Sequence, residues 1–409
     1  MTAPPRPEPN ASGPGLGTKI LAGMILGAAL GAALGERISI VEPVGDLFIR
    51  LLMLAAVPLV FFNLLAGLTA LTNLRTFGRL AARIVAYFFS TTFLALVLGV
   101  GAMALLRPGV GMTLGQVVDR EVGAAPSVAQ ILLDLVPTNV FRAFAEGNVA
   151  QLVVVSVLLG VATLWLPVSP RDRLRQAYAD LADLFRKLVD LILMVAPYGI
   201  GALMAVTVGR YGAELFGPMA VFVGGVWGAQ LVMVLVYLAF LRFFTERDVW
   251  RFIRDTGPVW ATTIATTSSL ASLSVALDVA ERIGLPRPVY SFTLPLGAQI
   301  NKDGTAVLLM GVLFFTAQAA GVTFTPGELL SVLLMGLLLS AGSGGIPGGG
   351  FVVALILVQA FDLPLELAAI VGGIYRLVDM GNTTVNVMGD MVGTAWVAHV
   401  EGPVTGGVP

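Results

Sequence analysis

The chain has 409 residues, of which 57% are hydrophobic and only 12% charged, with a net charge of −1. Soluble domains carry about 25% charged residues, so most of this surface must meet lipid, and the balanced charge gives no electrostatic basis for nucleic-acid binding. The chain has no cysteine and one histidine, His399, which excludes thiol chemistry, thiolate metal sites and a histidine metal cluster.

Residues 1–16, rich in Pro, Gly and Ala, read as a disordered tail. The stretch "TKILAGMILGAALGAALGER" has features of a signal peptide, but the apolar remainder of the chain favours a first membrane span. A spanning helix needs about 20 mostly apolar residues. Such stretches lie near 18–38, 45–72, 80–106, 146–167, 178–208 and 214–243, with a more polar link over 107–145. Arginines cluster after the second span (Arg75, Arg79, Arg83), the fourth (Arg171, Arg173, Arg175) and the sixth (Arg242, Arg247, Arg251, Arg254). Lys/Arg excess marks cytoplasmic loops, so the N-terminus is expected in the cytoplasm and the chain in the cell (inner) membrane.

After residue 245 the apolar runs shorten. Residues 257–286 carry two apolar arms around a Thr/Ser-rich middle, and residues 329–361 carry two arms around Gly342–Gly350, with six glycines and Pro347. Neither arm of either pair crosses a bilayer alone, which predicts two re-entrant hairpins. Each hairpin precedes an apolar segment with a polar interruption, 294–315 and 378–398. Paired interruptions of this kind point to a transporter site at the membrane midplane.

In the last segment Asp379, Thr383, Asn386 and Asp390 are spaced by four, three and four, which places them on one helical face. Carboxylates facing hydrocarbon are costly, so this stripe must face protein or water, either as a functional site or as a buried structural network. Tyr375 and Asn382 flank it. Asn301 and Asp303 form a second oxygen-rich group beside Gly304, and Thr91 and Thr92 add hydroxyls in the third span. Such oxygens suit a hard monovalent cation. Ser268, Ser269, Ser272 and Ser343, at the hairpin tips, offer hydroxyls and N–H groups to an anion, and the glycines suit a hinged lid.

The chain resembles the glutamate transporter homologues, the dicarboxylate/amino-acid:cation symporters, over nearly its whole length. The motifs "NKDGT" (301–305), "SAGSGGIPGGG" (340–350) and "DMGNTTVNVMGD" (379–390) carry the likeness. It implies an all-α polytopic membrane protein with eight transmembrane helices plus two re-entrant hairpins, working as an elevator in a homotrimer embedded in lipid. A scaffold would comprise 17–76 (spans 1–2) and 108–212 (spans 4–5). A transport domain would comprise 77–107 (span 3) and 213–400: span 6, hairpin 1 at about 250–285, span 7, hairpin 2 at about 327–361 and span 8. Residues 401–409 form a C-terminal tail. The resemblance implies that Asp379 holds a substrate ammonium and that Thr383 and Asn386 hold its carboxylate, with Ser268, Ser269, Thr305 and Gly345 close by. It implies cation sites at Asp390 with Gly297, Asn301 and Asn386, at Thr91, Thr92, Asn301 and Asp303, and near Ser340, Ala341 and Ser343. Na+ is then the expected coupling ion, alone or with H+, and no other cofactor is implied.

Three departures qualify the likeness. Asn382 stands where members that carry acidic substrates have an arginine, which favours a neutral amino acid. Alternatively Arg376 reads a side-chain carboxylate of an acidic amino acid or dicarboxylate, although it is placed to pair with Asp379. Lys302 replaces a methionine between two cation-binding residues; it acts as a tethered cation, carries a coupling proton, or snorkels away. Tyr375 and Phe88 replace an Asp and a Tyr, removing oxygen or charge. The expected function is a secondary transporter rather than an enzyme, since the only histidine, His399, is expected near the cytoplasmic end of the last span whereas Ser343 belongs to a hairpin expected to enter from outside. An anion channel is the rival outside transport.

Overall fold

The computed structural model describes residues 16–69, 74–112, 133, 136–146, 149–212, 216–343 and 348–402. Among these the chain is helical throughout, with no strand. The helices are α1 (Leu16–Leu34), α2 (Glu42–Thr69), α3 (Leu74–Leu106), α4 (Val140–Ala145), α5 (Val149–Leu164), α6 (Val168–Met194), α7 (Ala196–Tyr211) and α8 (Phe216–Phe244). They continue with α9 (Val249–Asp255), α10 (Gly257–Thr266), α11 (Ser269–Arg282), α12 (Arg287–Ile300), α13 (Asp303–Ala319), α14 (Pro326–Gly342), α15 (Gly349–Ala360) and α16 (Leu365–Glu401).

By length and composition, four helical stretches among the described residues can cross a membrane, or five if the bent pair α6–α7 counts as one. The predicted span at 178–208 is that pair, bent by 56°. Pro197 lies in the first turn of α7, where its missing N–H costs nothing, while ring sterics block continuation from α6.

Small residues set the closest helix pairing. A Cβ on Gly23, Gly27 or Gly31 of α1 would run into the backbone of Pro197, Gly201 or Ala205 on α7. Between helices in lipid, dispersion at close approach replaces the hydrophobic drive, so these glycines are what lets α1 lie against α7.

Both hairpins form. The arms of the first, α10 and α11, meet at Thr267, whose backbone is left-handed (φ 50°), and Ser268 caps α11 by accepting from the Ala271 N–H at 3.2 Å. The second joins α14 to α15; α14 opens with a reciprocal Thr325/Glu328 cap, and Gly348 takes φ 84° before α15. Residues 344–347 of its tip, including Gly345, lie outside the described residues.

The predicted interruption at 294–315 is present: α12 stops at Ile300 and α13 starts at Asp303. The predicted interruption at 378–398 is not, because α16 runs unbroken for 37 residues. Its glycines serve packing instead. A Cβ at Gly381 would strike the Gln230 side chain, at Gly389 it would lie 2.7 Å from the Tyr237 hydroxyl, and at Gly393 it would lie 2.6 Å from the Tyr87 ring. At 1.5 Å per residue α16 is about 55 Å long, longer than the ~30 Å hydrocarbon layer. It packs against α3, α8, α12, α13 and both hairpins, and so forms the axis of the C-terminal half.

Candidate functional site

The polar face of α16 points inward as its spacing predicts. Asp379, Asn382, Thr383, Asn386 and Asp390 are all buried. Three groups of partners hold them.

The first group lies at hairpin 2. Asp379 Oδ1 accepts from the Tyr375 hydroxyl at 2.7 Å and from Asn382 Nδ2 at 3.5 Å, and Oδ2 accepts from the Gly348 N–H at 3.4 Å. The tyrosine found in place of an acid is therefore a donor to the remaining acid. Asn382 is oriented by Gln230 of α8, whose Nε2 donates to Asn382 Oδ1 at 2.7 Å.

The second group lies at hairpin 1. Arg376 does not pair with Asp379. Its guanidinium donates to the Thr267 hydroxyl and, at 3.3 Å, to the Ala265 carbonyl. Ser268 and Ser269 are buried at the same tip, and Ser272 donates to the Ser268 carbonyl at 2.9 Å. Arg376 thus bridges the central helix and the hairpin 1 tip, while Asp379 meets the hairpin 2 end; the two charges stand on neighbouring turns of α16 with separate partners.

The third group is the break between α12 and α13. Asn386 Oδ1 accepts from the N–H of Gly304 at 2.7 Å and of Thr305 at 3.4 Å, while its Nδ2 donates to the Thr305 hydroxyl at 3.3 Å. A side chain of one helix thereby caps the exposed N-terminus of another. Gly304 is required: a Cβ there would enter the backbone of Asn382. Asn301 Nδ2 donates to Asp390 Oδ1 at 2.9 Å and to the Asn386 carbonyl at 3.2 Å. Gly297 lies directly against Asp390. Asp303, fully buried, accepts from the Thr92 hydroxyl at 2.5 Å and from the Tyr237 hydroxyl.

The cation-site expectations meet this geometry unevenly. Thr92, Asn301, Asp303, Asn386, Asp390 and Gly297 converge. Thr91 donates to the Phe88 carbonyl of its own helix at 3.1 Å, and its hydroxyl also lies close enough to act on the Asp303 carboxylate. Ser340 donates to Leu337 O at 2.9 Å and Ser343 to Ser340 O at 2.8 Å, while the Gly342 carbonyl accepts from Asn63 at 3.4 Å. Lys302 does not snorkel outward. It is 1% exposed, and its ammonium donates to the Ala298 carbonyl at 2.5 Å. Among the described residues two buried oxygens, Asn301 Oδ1 and the Tyr87 hydroxyl, have no hydrogen-bond partner. Unpaired buried acceptors next to carboxylates are what a hard cation seeks, so the residues fit a monovalent ion.

Gln230, Tyr237 and Tyr87 were not read as site residues from the sequence. A signal existed: Gln230 and Tyr237 are polar interruptions seven residues apart in an apolar span, hence on one helical face.

The sequence pattern of the sodium:dicarboxylate symporter family matches residues 16–400. The proton/glutamate-aspartate symporter of Bacillus subtilis (strain 168) is 30% identical over 390 residues, covering 94% of each chain. That of Escherichia coli (strain K12) is 29% identical over 397 residues, covering 93% of this chain and 91% of its own length. The C4-dicarboxylate transport protein of Xanthomonas campestris pv. campestris (strain B100) is 29% identical over 392 residues, covering 94% and 87%. With a match over nearly its full length, this chain belongs to the sodium:dicarboxylate symporter family, and is a multi-pass membrane transporter rather than an enzyme.

Proposed function

We propose that this chain is a cation-coupled secondary transporter of a small substrate with two carboxylates, either an acidic amino acid or a C4-dicarboxylate. This replaces the neutral amino acid expected from Asn382. Two things favour the change. The similar proteins of Bacillus subtilis, Escherichia coli and Xanthomonas campestris carry glutamate, aspartate or C4-dicarboxylate in their names. Arg376, unpaired with Asp379, supplies the positive charge that Asn382 lacks.

The observation that carries the proposal is the position of Arg376: among the described residues its guanidinium bonds neutral oxygens at the hairpin 1 tip, the Thr267 hydroxyl and the Ala265 carbonyl. A substrate carboxylate would be a stronger partner than a hydroxyl and a carbonyl. In this scheme Arg376 reads one carboxylate and Thr383 with the hairpin N–H groups reads the other. Asp379 receives an ammonium when the substrate has one. The residues flanking hairpin 2, with their glycines, close over it.

The packing supports an elevator. One set of helices (α1, α2, α5, α6 and α7) packs mainly within itself, and another (α3 and α8 to α16) gathers around α16. This supports a scaffold of 17–76 and 108–212 and a moving part of 77–107 and 213–400. Counting α6–α7 and α12–α13 as one crossing each, α1, α2, α3, α5, α8 and α16 complete eight spans, with the hairpins re-entrant. The arginine clusters favour a cytoplasmic N-terminus, and the family likeness a homotrimer.

Uptake of labelled L-aspartate, succinate and L-alanine into proteoliposomes tests the substrate. Saturable uptake of aspartate or succinate but not alanine is expected. Arg376→Gln should raise KM about 10- to 100-fold, as for a lost charge-assisted hydrogen bond of about 1.5–3 kcal/mol. Asp379→Asn should abolish aspartate uptake and spare succinate. Alanine transport untouched by Arg376→Gln would return the neutral reading, and substrate-free unitary currents would mark a channel.

A further inference from the structure

We propose that Lys302 is a built-in cation: its ammonium takes the place of one Na+ among the buried carboxylates Asp303 and Asp390, so that substrate binding does not require Na+ at this position.

Four observations carry this. Lys302 is 1% exposed although it sits at the break of a membrane helix, where a lysine with a route to water would take it. Its ammonium lies on the Ala298 carbonyl at 2.5 Å, in the last turn of α12; carbonyls freed by a broken helix are the groups that coordinate cations in such folds, and a helix C-terminus favours positive charge. Asp303 and Asp390 are both buried; Lys302 adjoins Asp303 in the chain, and the Ala298 carbonyl that it bonds follows Gly297, which lies against Asp390. Finally, three of the four carboxylate oxygens are already met by protein donors, both of Asp303 by Thr92 and Tyr237 and Oδ1 of Asp390 by Asn301.

A buried pair of carboxylates demands a compensating positive charge in the same cluster. Lys302 supplies it covalently. A Na+ entering the same cluster would stand beside a like charge in a medium that screens weakly. Removal of the ammonium reverses this preference. The carboxylates, with the unpaired Asn301 Oδ1 and Tyr87 hydroxyl, then form the oxygen set that a hard cation accepts.

The test uses the full-length chain in lipid nanodiscs and reads the thermal midpoint in NaCl and in choline chloride at equal ionic strength. The wild type should melt at the same temperature in both salts, whereas Lys302→Met should melt lower in choline and be raised by Na+. Lys302→Gln is the second variant, and size-exclusion profiles report whether each folds. A Na+-specific rise in the wild type overturns the proposal, as do folded variants indifferent to Na+. If neither variant folds, the wild-type response decides. The substrate arm rests on the function proposed above: aspartate or succinate should bind the wild type equally in both salts. Binding of neither in either salt would count against that function, while the Na+ response of the unliganded protein still decides the role of Lys302.

Discussion

Tyr237 donates its hydroxyl to Asp303 and Gln230 donates to Asn382, both from α8. Each partner is buried, so each bond matters through what its loss leaves behind. A donor removed from a buried carboxylate costs about 1.5–3 kcal/mol, and one removed from a neutral buried acceptor about 1–3 kcal/mol. Tyr237→Phe should therefore lower the thermal midpoint, with little effect on substrate KM. Gln230→Leu should instead raise substrate KM, because Asn382 loses the partner that turns its amide toward Asp379. Thermal midpoints and equilibrium substrate binding measured on both variants separate the two effects. The stripe of α16 was legible because a four-three-four spacing of polar residues admits one reading in a membrane helix. The α8 residues were not, since a lone amide and a lone phenol in an apolar run look like ordinary interior residues until the neighbours they face are known.

At the scale of elements, glycine does three separate jobs. Gly348, with φ 84°, turns the chain into α15. Gly304 admits the Asn382 backbone against α13. Gly224 has open space around its Cβ position within α8. Gly304→Ala should cost about 1–3 kcal/mol by overpacking and disrupt the Asn386 cap, whereas Gly224→Ala should be neutral or stabilise by about 0.5–1 kcal/mol. Thermal midpoints of both variants in one detergent check this contrast. The same distinction explains what the sequence could tell about the elements. Both helix pairs were readable, since apolar arms of about ten residues cannot cross a bilayer alone and six glycines with a proline disfavour a continuous helix. The NKDGT break was readable for a similar reason. The polar residues of 378–398 were misread as an interruption, because side chains that bond neighbouring helices, as Asn382, Asn386 and Asp390 do, look in sequence like those that end a helix. The bend after Met194 was missed, although Pro197 marked it.

Across the whole molecule the two sets of helices meet at Arg186 of α6. Its Nη2 donates to Asn63 of α2 at 2.7 Å and to Gln299 of α12 at 3.2 Å, and Asn63 in turn donates to the Gly342 carbonyl of hairpin 2. A cavity of about 420 Å³ adjoins these residues, lined also by Gly67, Asp183 and Pro295. If the α12 side slides against the α6 side, these bonds must break in every cycle. Arg186→Gln should then change kcat while leaving substrate affinity at equilibrium unchanged, as uptake kinetics and binding on one preparation would record. The most direct test of the site itself is a cryo-EM map of the chain in nanodiscs with L-aspartate or succinate. Ligand density is expected against α16 between the two hairpin tips, with one carboxylate within hydrogen-bond distance of Arg376. Density at any other position, or a bound ligand that leaves Arg376 on Thr267 alone, would contradict it.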